Sequence, residues 1–115
     1  MKVEQIEELK KEVETATKHL LGDNLKKIIL YGSYARGDYD KESDIDFAAI
    51  TNIKNEDLNA FTNEIGEIIT DLTLKYGILV TLILLNEEIF NGYGTVLPFY
   101  DNIVKDGIAL YGSKS

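Results

Sequence analysis

The chain has no cysteine among its 115 residues. That excludes a disulfide framework, a thiolate zinc site and a cysteine nucleophile. Its one histidine, His19, falls near the end of a predicted helix, where a surface place or an interaction with the helix C-terminus suits it better than catalysis. No apolar run approaches the roughly 18 residues of a membrane span, and the N-terminus is charged and helical rather than apolar. Neither a span nor a signal peptide is therefore expected, and the cytoplasm is the simplest location. Basic residues form no cluster: twelve Lys and Arg are scattered among twenty Asp and Glu, giving a net charge of −8. Nucleic-acid surfaces rely on clustered Lys and Arg, so strong binding to a nucleic-acid polymer is not expected.

What is present reads as a globular α/β chain. Hydrophobic residues make up 44% and aromatics 10%, which argues against global disorder. The length predicts one domain, residues 1–115, with room for a single core but not for a separate substrate domain. Residues 2–21 place Val3, Ile6, Leu9, Val13, Ala16 and Leu20 on one helical stripe, which Gly22 ends. The apolar, β-branched run 25–31 predicts a buried strand, and 44–51 predicts a second. Asn55 reads as the N-cap of a long helix buried through Leu58, Phe61, Ile65, Ile68 and Leu72, and Gly77 stops it. Residues 78–85, apolar throughout except for Thr81, predict a strand covered on both faces. A short helix is expected from Asn86, another from Pro98 to Gly107, then an edge strand over 108–111 and a loose end at Lys114-Ser115. This order fits a two-layer or three-layer α/β fold with a mixed sheet packed by helices; the pattern leaves strand order open.

Residues 30–47, LYGSYARGDYDKESDIDF, carry the chemistry. Gly32-Ser33 breaks the first strand, and Ser33 to Arg36 can start one helical turn whose free backbone N–H groups would receive phosphate. Asp44-Ile45-Asp46 enters the second strand. Strand alternation puts Asp44 and Asp46 on one face, roughly 7 Å apart. Two such carboxylates can hold Mg²⁺ beside a phosphate chain, and the cation would offset the acidity of the protein. The acidic loop fails as an EF-hand: counted from Asp38, the sixth and twelfth positions hold Ser43 and Ala49 instead of Gly and Glu. The joint pattern points to metal-assisted nucleotidyl transfer.

Gly32-Ser33, the Tyr34-Ala35-Arg36-Gly37 turn and Ser43-Asp44-Ile45-Asp46 resemble the signature of the DNA polymerase beta-like nucleotidyltransferase superfamily. The resemblance extends to the closing segment from Pro98-Phe99-Tyr100 to Gly107-Ile108-Ala109-Leu110-Tyr111, and it is closest to the minimal nucleotidyltransferases of archaea and bacteria. Those are often encoded beside a HEPN-domain protein as antitoxin and toxin. The resemblance implies the polymerase beta-like fold in its smallest form. It implies one or two Mg²⁺ ions on Asp44 and Asp46, and a nucleoside triphosphate, ATP above others, held by Gly32 and Ser33. Arg36 is a candidate phosphate contact or a surface ion pair with the acidic loop, and Ser43 a candidate site residue or a cap of the turn.

Active members of that superfamily generally carry a third carboxylate on the next core strand. Here that strand offers Thr81, a possible third site position that cannot act as a base near neutral pH. Three functions follow as expectations: transfer of AMP from ATP to a hydroxyl of a partner protein, with a HEPN-type protein as partner; a non-catalytic antitoxin or scaffold on the same fold; and, disfavoured by size, transfer to a small molecule.

Overall fold

The computed structural model describes residues 2–93 and 98–112. Its elements are α1 (Val3–Leu21), β1 (Leu25–Tyr31), the single turn α2 (Ser33–Arg36), β2 (Ile45–Thr51), α3 (Thr62–Tyr76), β3 (Val80–Asn86), α4 (Glu87–Tyr93), α5 (Pro98–Asp106) and β4 (Ile108–Tyr111). The strands form one mixed sheet in the order β3-β2-β1-β4. β1 runs antiparallel to both β2 and β4, while β2 and β3 are parallel. A parallel pair needs a long crossover, and α3 supplies it. The short 108–111 strand lies at an edge, as its sequence predicts.

Alternation along the strands divides the core into two. Ile28, Leu30, Ile45, Phe47, Ala49, Val80 and Leu82 pack with Ile6, Leu9 and Val13 of α1 and with Ile65 and Leu72 of α3. Their neighbours Ile29, Ala48 and Ile50 pack with Phe90 of α4 and Ile103 of α5. Helices therefore cover both faces, which selects the three-layer form of the expected fold. β3 is also an edge strand, so Ile83, Leu84 and Leu85 are only half-buried. The predicted full coverage of that strand holds only for Val80 and Leu82.

Several predicted boundaries and stripes differ. On α1 the buried residues are Ile6, Leu9, Val13, Thr17 and Leu21, whereas Ala16 and Leu20 are half-buried and Val3 is 68% exposed. Four-residue steps continue from Val13 to Leu21, so a threonine enters the core in place of an alanine. Asn55 caps no α-helix. Residues Asn55–Phe61 form a 3₁₀ segment, and Phe61, at φ −98° and ψ 5°, breaks it from α3. There the Thr62 hydroxyl donates to the Asn59 carbonyl at 2.8 Å, giving that oxygen a side-chain partner. β3 runs from Val80 to Asn86 rather than from 78 to 85. Asn86 ends it by accepting hydrogen bonds from the Glu88 and Ile89 N–H groups and donating to the Ile53 carbonyl at 2.7 Å. Lys114-Ser115 lies outside the described residues. Among those residues no helix is long and apolar enough to cross a membrane.

Thr17 is fully buried, and its Oγ1 has no hydrogen-bond partner among the described residues. A buried, unsatisfied hydroxyl retains its desolvation cost without compensation. Thr17→Val keeps the shape and removes the oxygen, so it should stabilise the protein by about 1 kcal/mol. Thermal denaturation checks this, and a lower Tm would show that the hydroxyl has an unrecognised partner.

Candidate active site

β1 ends at Tyr31, and Gly32 follows with φ 77° and ψ −156°. That conformation is essentially reserved for glycine. It turns the chain into α2, where the Gly32 carbonyl accepts hydrogen bonds from the Ala35 and Arg36 N–H groups, both at 3.1 Å. The N–H groups of Ser33 and Tyr34 precede these bonds and stand at the opening of the turn. Gly37, at φ 85°, closes the turn and releases the chain into the acidic loop.

Across the sheet, Tyr31 pairs with Asp46 and Asp46 with Thr81. The three residues form a row over β1, β2 and β3, at the end of the sheet where Gly32 leaves it. All three alternate with residues of the α1/α3 core and therefore stand on the α4/α5 face. The Thr81 hydroxyl donates to Asp46 Oδ1 at 2.6 Å. The other oxygen, Oδ2, would lie 2.6 Å from a Cβ placed on Gly32. Gly32 is thus needed for close approach, but the group it admits in this structure is the carboxylate of Asp46. Asp46 is half-buried, and Asp44 is exposed one residue before β2 begins. The strand starts at Ile45, one residue after the predicted start at Asp44, and the Ile45 N–H bonds the Leu79 carbonyl at 3.0 Å.

A profile of the nucleotidyltransferase domain matches residues 6–113. The chain belongs to this family of nucleotidyltransferases. A relative in Methanocaldococcus jannaschii, named "Putative protein adenylyltransferase", is 38% identical over 101 residues, covering 88% of this chain and 93% of that protein. Among solved structures, a chain of a toxin-antitoxin complex with AMP-PNP matches with a TM-score of 0.61 at 21% identity, over 91% of this chain and 74% of its own. A chain of the tri-AMPylated Shewanella oneidensis HEPN toxin in complex with MNT antitoxin gives 0.55 at 18% identity, over 94% and 73%. These two structural likenesses establish the fold and confirm the mixed sheet packed by helices.

The loop between the two halves of the nucleotidyltransferase motif is internally tied. Tyr34 and Tyr39 stack face to face at 4.1 Å. The Asp40 N–H donates to Ser43 Oγ at 2.9 Å, and Asp40 Oδ1 accepts from the Glu42 N–H at 2.8 Å. Ser43 therefore ties the turn ahead of the strand. Arg36 pairs with Asp38 at 3.0 Å and with Asp106, at the end of α5, at 3.1 Å. Asp38, then Asp106, hold its guanidinium still more firmly protonated than usual. The pair with the acidic loop was one of the two readings of this residue; the pair with α5 joins positions 70 residues apart and has no local signal in the sequence. His19 is exposed in the last turn of α1, away from the row.

The donor set suits magnesium. Mg²⁺ commonly binds through one or two carboxylates together with substrate phosphates and water, and Asp44 and Asp46 offer that number. Among the described residues no group of three acidic, histidine or cysteine side chains could hold a metal ion. Thr81 stands directly beside Asp46 on the neighbouring strand. Tyr31, which no motif of the sequence marks, takes the opposite flank as the register partner of Asp46 on β1. Its place directly before Gly32 in an antiparallel strand was the available signal.

Burial, then the charge of Asp46, push the Tyr31 phenol up to about 12, with a Thr81 hydrogen bond acting in the opposite direction. Burial, then its hydrogen bond to Glu12, also push Tyr76 to about 12. Both folded values exceed the ordinary value of about 10. The stability that these phenols contribute is fully present below about pH 10 and is lost as pH rises toward 12, because the unfolded chain gives up its protons first. Tm should fall over that window. Tyr76→Phe should flatten the fall; a slope unchanged from the parent would remove Tyr76 from this account.

Proposed function

We propose that this protein transfers AMP from ATP to a hydroxyl group on a HEPN-type partner protein, within a toxin-antitoxin pair. The observation that carries the reading is the convergence of the Gly32-Ser33 turn and Asp46 at one end of the sheet. The name of the archaeal relative, a protein adenylyltransferase, supports AMP and a protein acceptor. The AMP-PNP complex and the AMPylated HEPN toxin among the fold's neighbours support ATP and the partner class.

In this reading Asp44 and Asp46 hold one or two Mg²⁺ ions. A cation held there would supply neutralisation of phosphate charge and a lower pKa for the attacking hydroxyl. Ser33, through its hydroxyl and the N–H groups of its turn, grips the β- and γ-phosphates and orients pyrophosphate to leave. Gly32 keeps the wall between turn and carboxylate free of a side chain. Arg36 lies on the same turn and contacts phosphate once its pair with Asp38 or Asp106 opens. Ser43 ties the loop that delivers Asp44.

ATP should bind weakly without divalent metal, since an acidic protein must otherwise meet a polyphosphate. Titrations in Mg²⁺ and in EDTA should differ clearly, and Asp46→Asn should remove the difference. Equal affinity in EDTA would sink the reading. Labelled AMP should also pass to the co-purified product of the neighbouring reading frame.

One observation favours a second reading. The residue beside Asp46 on the next strand is Thr81 and not a carboxylate, which suits a non-catalytic antitoxin that binds its partner without modifying it. A stable complex together with no AMP transfer, under conditions where ATP and Mg²⁺ bind, would select it.

A further inference from the structure

We propose that Tyr31 is a positioning residue that, together with Thr81, holds the Asp46 carboxylate in one orientation for metal binding. The inference rests on the reading of Asp46 as a metal-holding group. The register places Tyr31 and Thr81 directly opposite Asp46 on its two neighbouring strands. Directly opposed residues in a sheet have Cβ atoms about 5 Å apart, within reach of an aromatic side chain. From one side the Thr81 hydroxyl fixes Oδ1 at 2.6 Å. Below, Gly32 leaves space for Oδ2 that a Cβ would fill. The third side belongs to Tyr31, whose ring packs on the cluster of Ile29, Ala48, Ile50, Phe90 and Ile103.

A phenylalanine would fill that apolar contact equally well. The phenol instead carries a polar group into a half-buried place beside the carboxylate of its register partner, Asp46. A carboxylate with two lone pairs on each oxygen can accept a bond from Thr81 and still face a cation. Polar neighbours then choose which rotamer presents the free lone pairs. Such partners of a metal-binding group commonly set affinity without touching the metal. The two flanking hydroxyls thereby take over, for Asp46, the orienting part of a third carboxylate's task, though they add no charge.

The test is a Mg²⁺ titration of ATP binding with the whole protein, alongside Tm in EDTA. Tyr31→Phe should need about ten-fold more Mg²⁺ for half-maximal ATP binding, with unchanged ATP affinity at saturating Mg²⁺ and an unchanged Tm in EDTA. Thr81→Val should shift the Mg²⁺ requirement in the same direction, and Thr81→Ser should restore it. A parental Mg²⁺ requirement for Tyr31→Phe, while Asp46→Asn abolishes the metal dependence, would overturn the role of Tyr31 alone. A large fall of Tm in EDTA for Tyr31→Phe would also overturn it, since the residue would then be structural. If Asp46→Asn leaves the metal dependence intact, the reading of the site fails and this inference with it.

Discussion

Gly32→Ala should lower stability by about 3 kcal/mol and abolish metal-dependent ATP binding. Two costs combine at this position. The backbone sits at φ 77° and ψ −156°, a region that costs a residue with a side chain about 1–3 kcal/mol. The new Cβ would also lie 2.6 Å from Asp46 Oδ2, well inside contact distance, so the carboxylate must move. Moving it breaks the 2.6 Å hydrogen bond from Thr81 and shifts a proposed metal ligand. Gly37 provides the control. It also has positive φ, at 85°, but a Cβ there meets nothing within 4 Å. Gly37→Ala should therefore cost about 1 kcal/mol of backbone strain alone and leave ATP binding intact. The measurements are thermal denaturation and ATP titration in Mg²⁺ for both variants. Equal losses of stability, with binding retained in both, would show that the close approach of Gly32 to Asp46 has no functional meaning.

Thr81→Asp should depend on metal for its stability far more than the parent does. Thr81 is the register partner of Asp46, so the new carboxylate would stand beside the old one. In EDTA the variant loses a hydrogen bond and gains like-charge repulsion in a partly buried place, and should be destabilised by about 2–4 kcal/mol. With Mg²⁺ bound, the cation offsets both charges and most of the lost Tm should return. If the absence of a third carboxylate limits catalysis, AMP transfer or ATP turnover should rise above the parent. Tm and labelled-AMP transfer, each in Mg²⁺ and in EDTA, check the two halves separately. An equal loss of Tm in both conditions, with no added activity, would mark Thr81 as an ordinary strand residue.

The two variants differ in what made them foreseeable. The need for glycine at position 32 was visible in the sequence, yet the group it accommodates was not. Read along the chain, Gly32 was expected to admit phosphate; in the fold it stands against Asp46, fourteen residues later in a strand antiparallel to β1. Thr81 stands out along the chain as the single hydroxyl of an apolar strand, and parallel pairing of β2 and β3 sets it opposite Asp46. The helices show a similar division. Their presence followed from three- and four-residue spacing, but the step that buries Thr17 instead of Ala16 depended on which side of α1 met α3 and the sheet.

By itself, the sequence determined the features governed by neighbouring residues. These include strand β1 at 25–31, the turn after Gly32, the stop at Gly77 and the α/β order of elements. Steric limits on φ and ψ and side-chain periodicity act over a few residues and leave a readable pattern. Tertiary structure alone decided the row Tyr31–Asp46–Thr81, the three-layer packing and the reach of Asp106 to Arg36. Those depend on strand register and on the choice of sheet face. Both are set by the joint burial of side chains distant in sequence, and no local stretch of the chain encodes them.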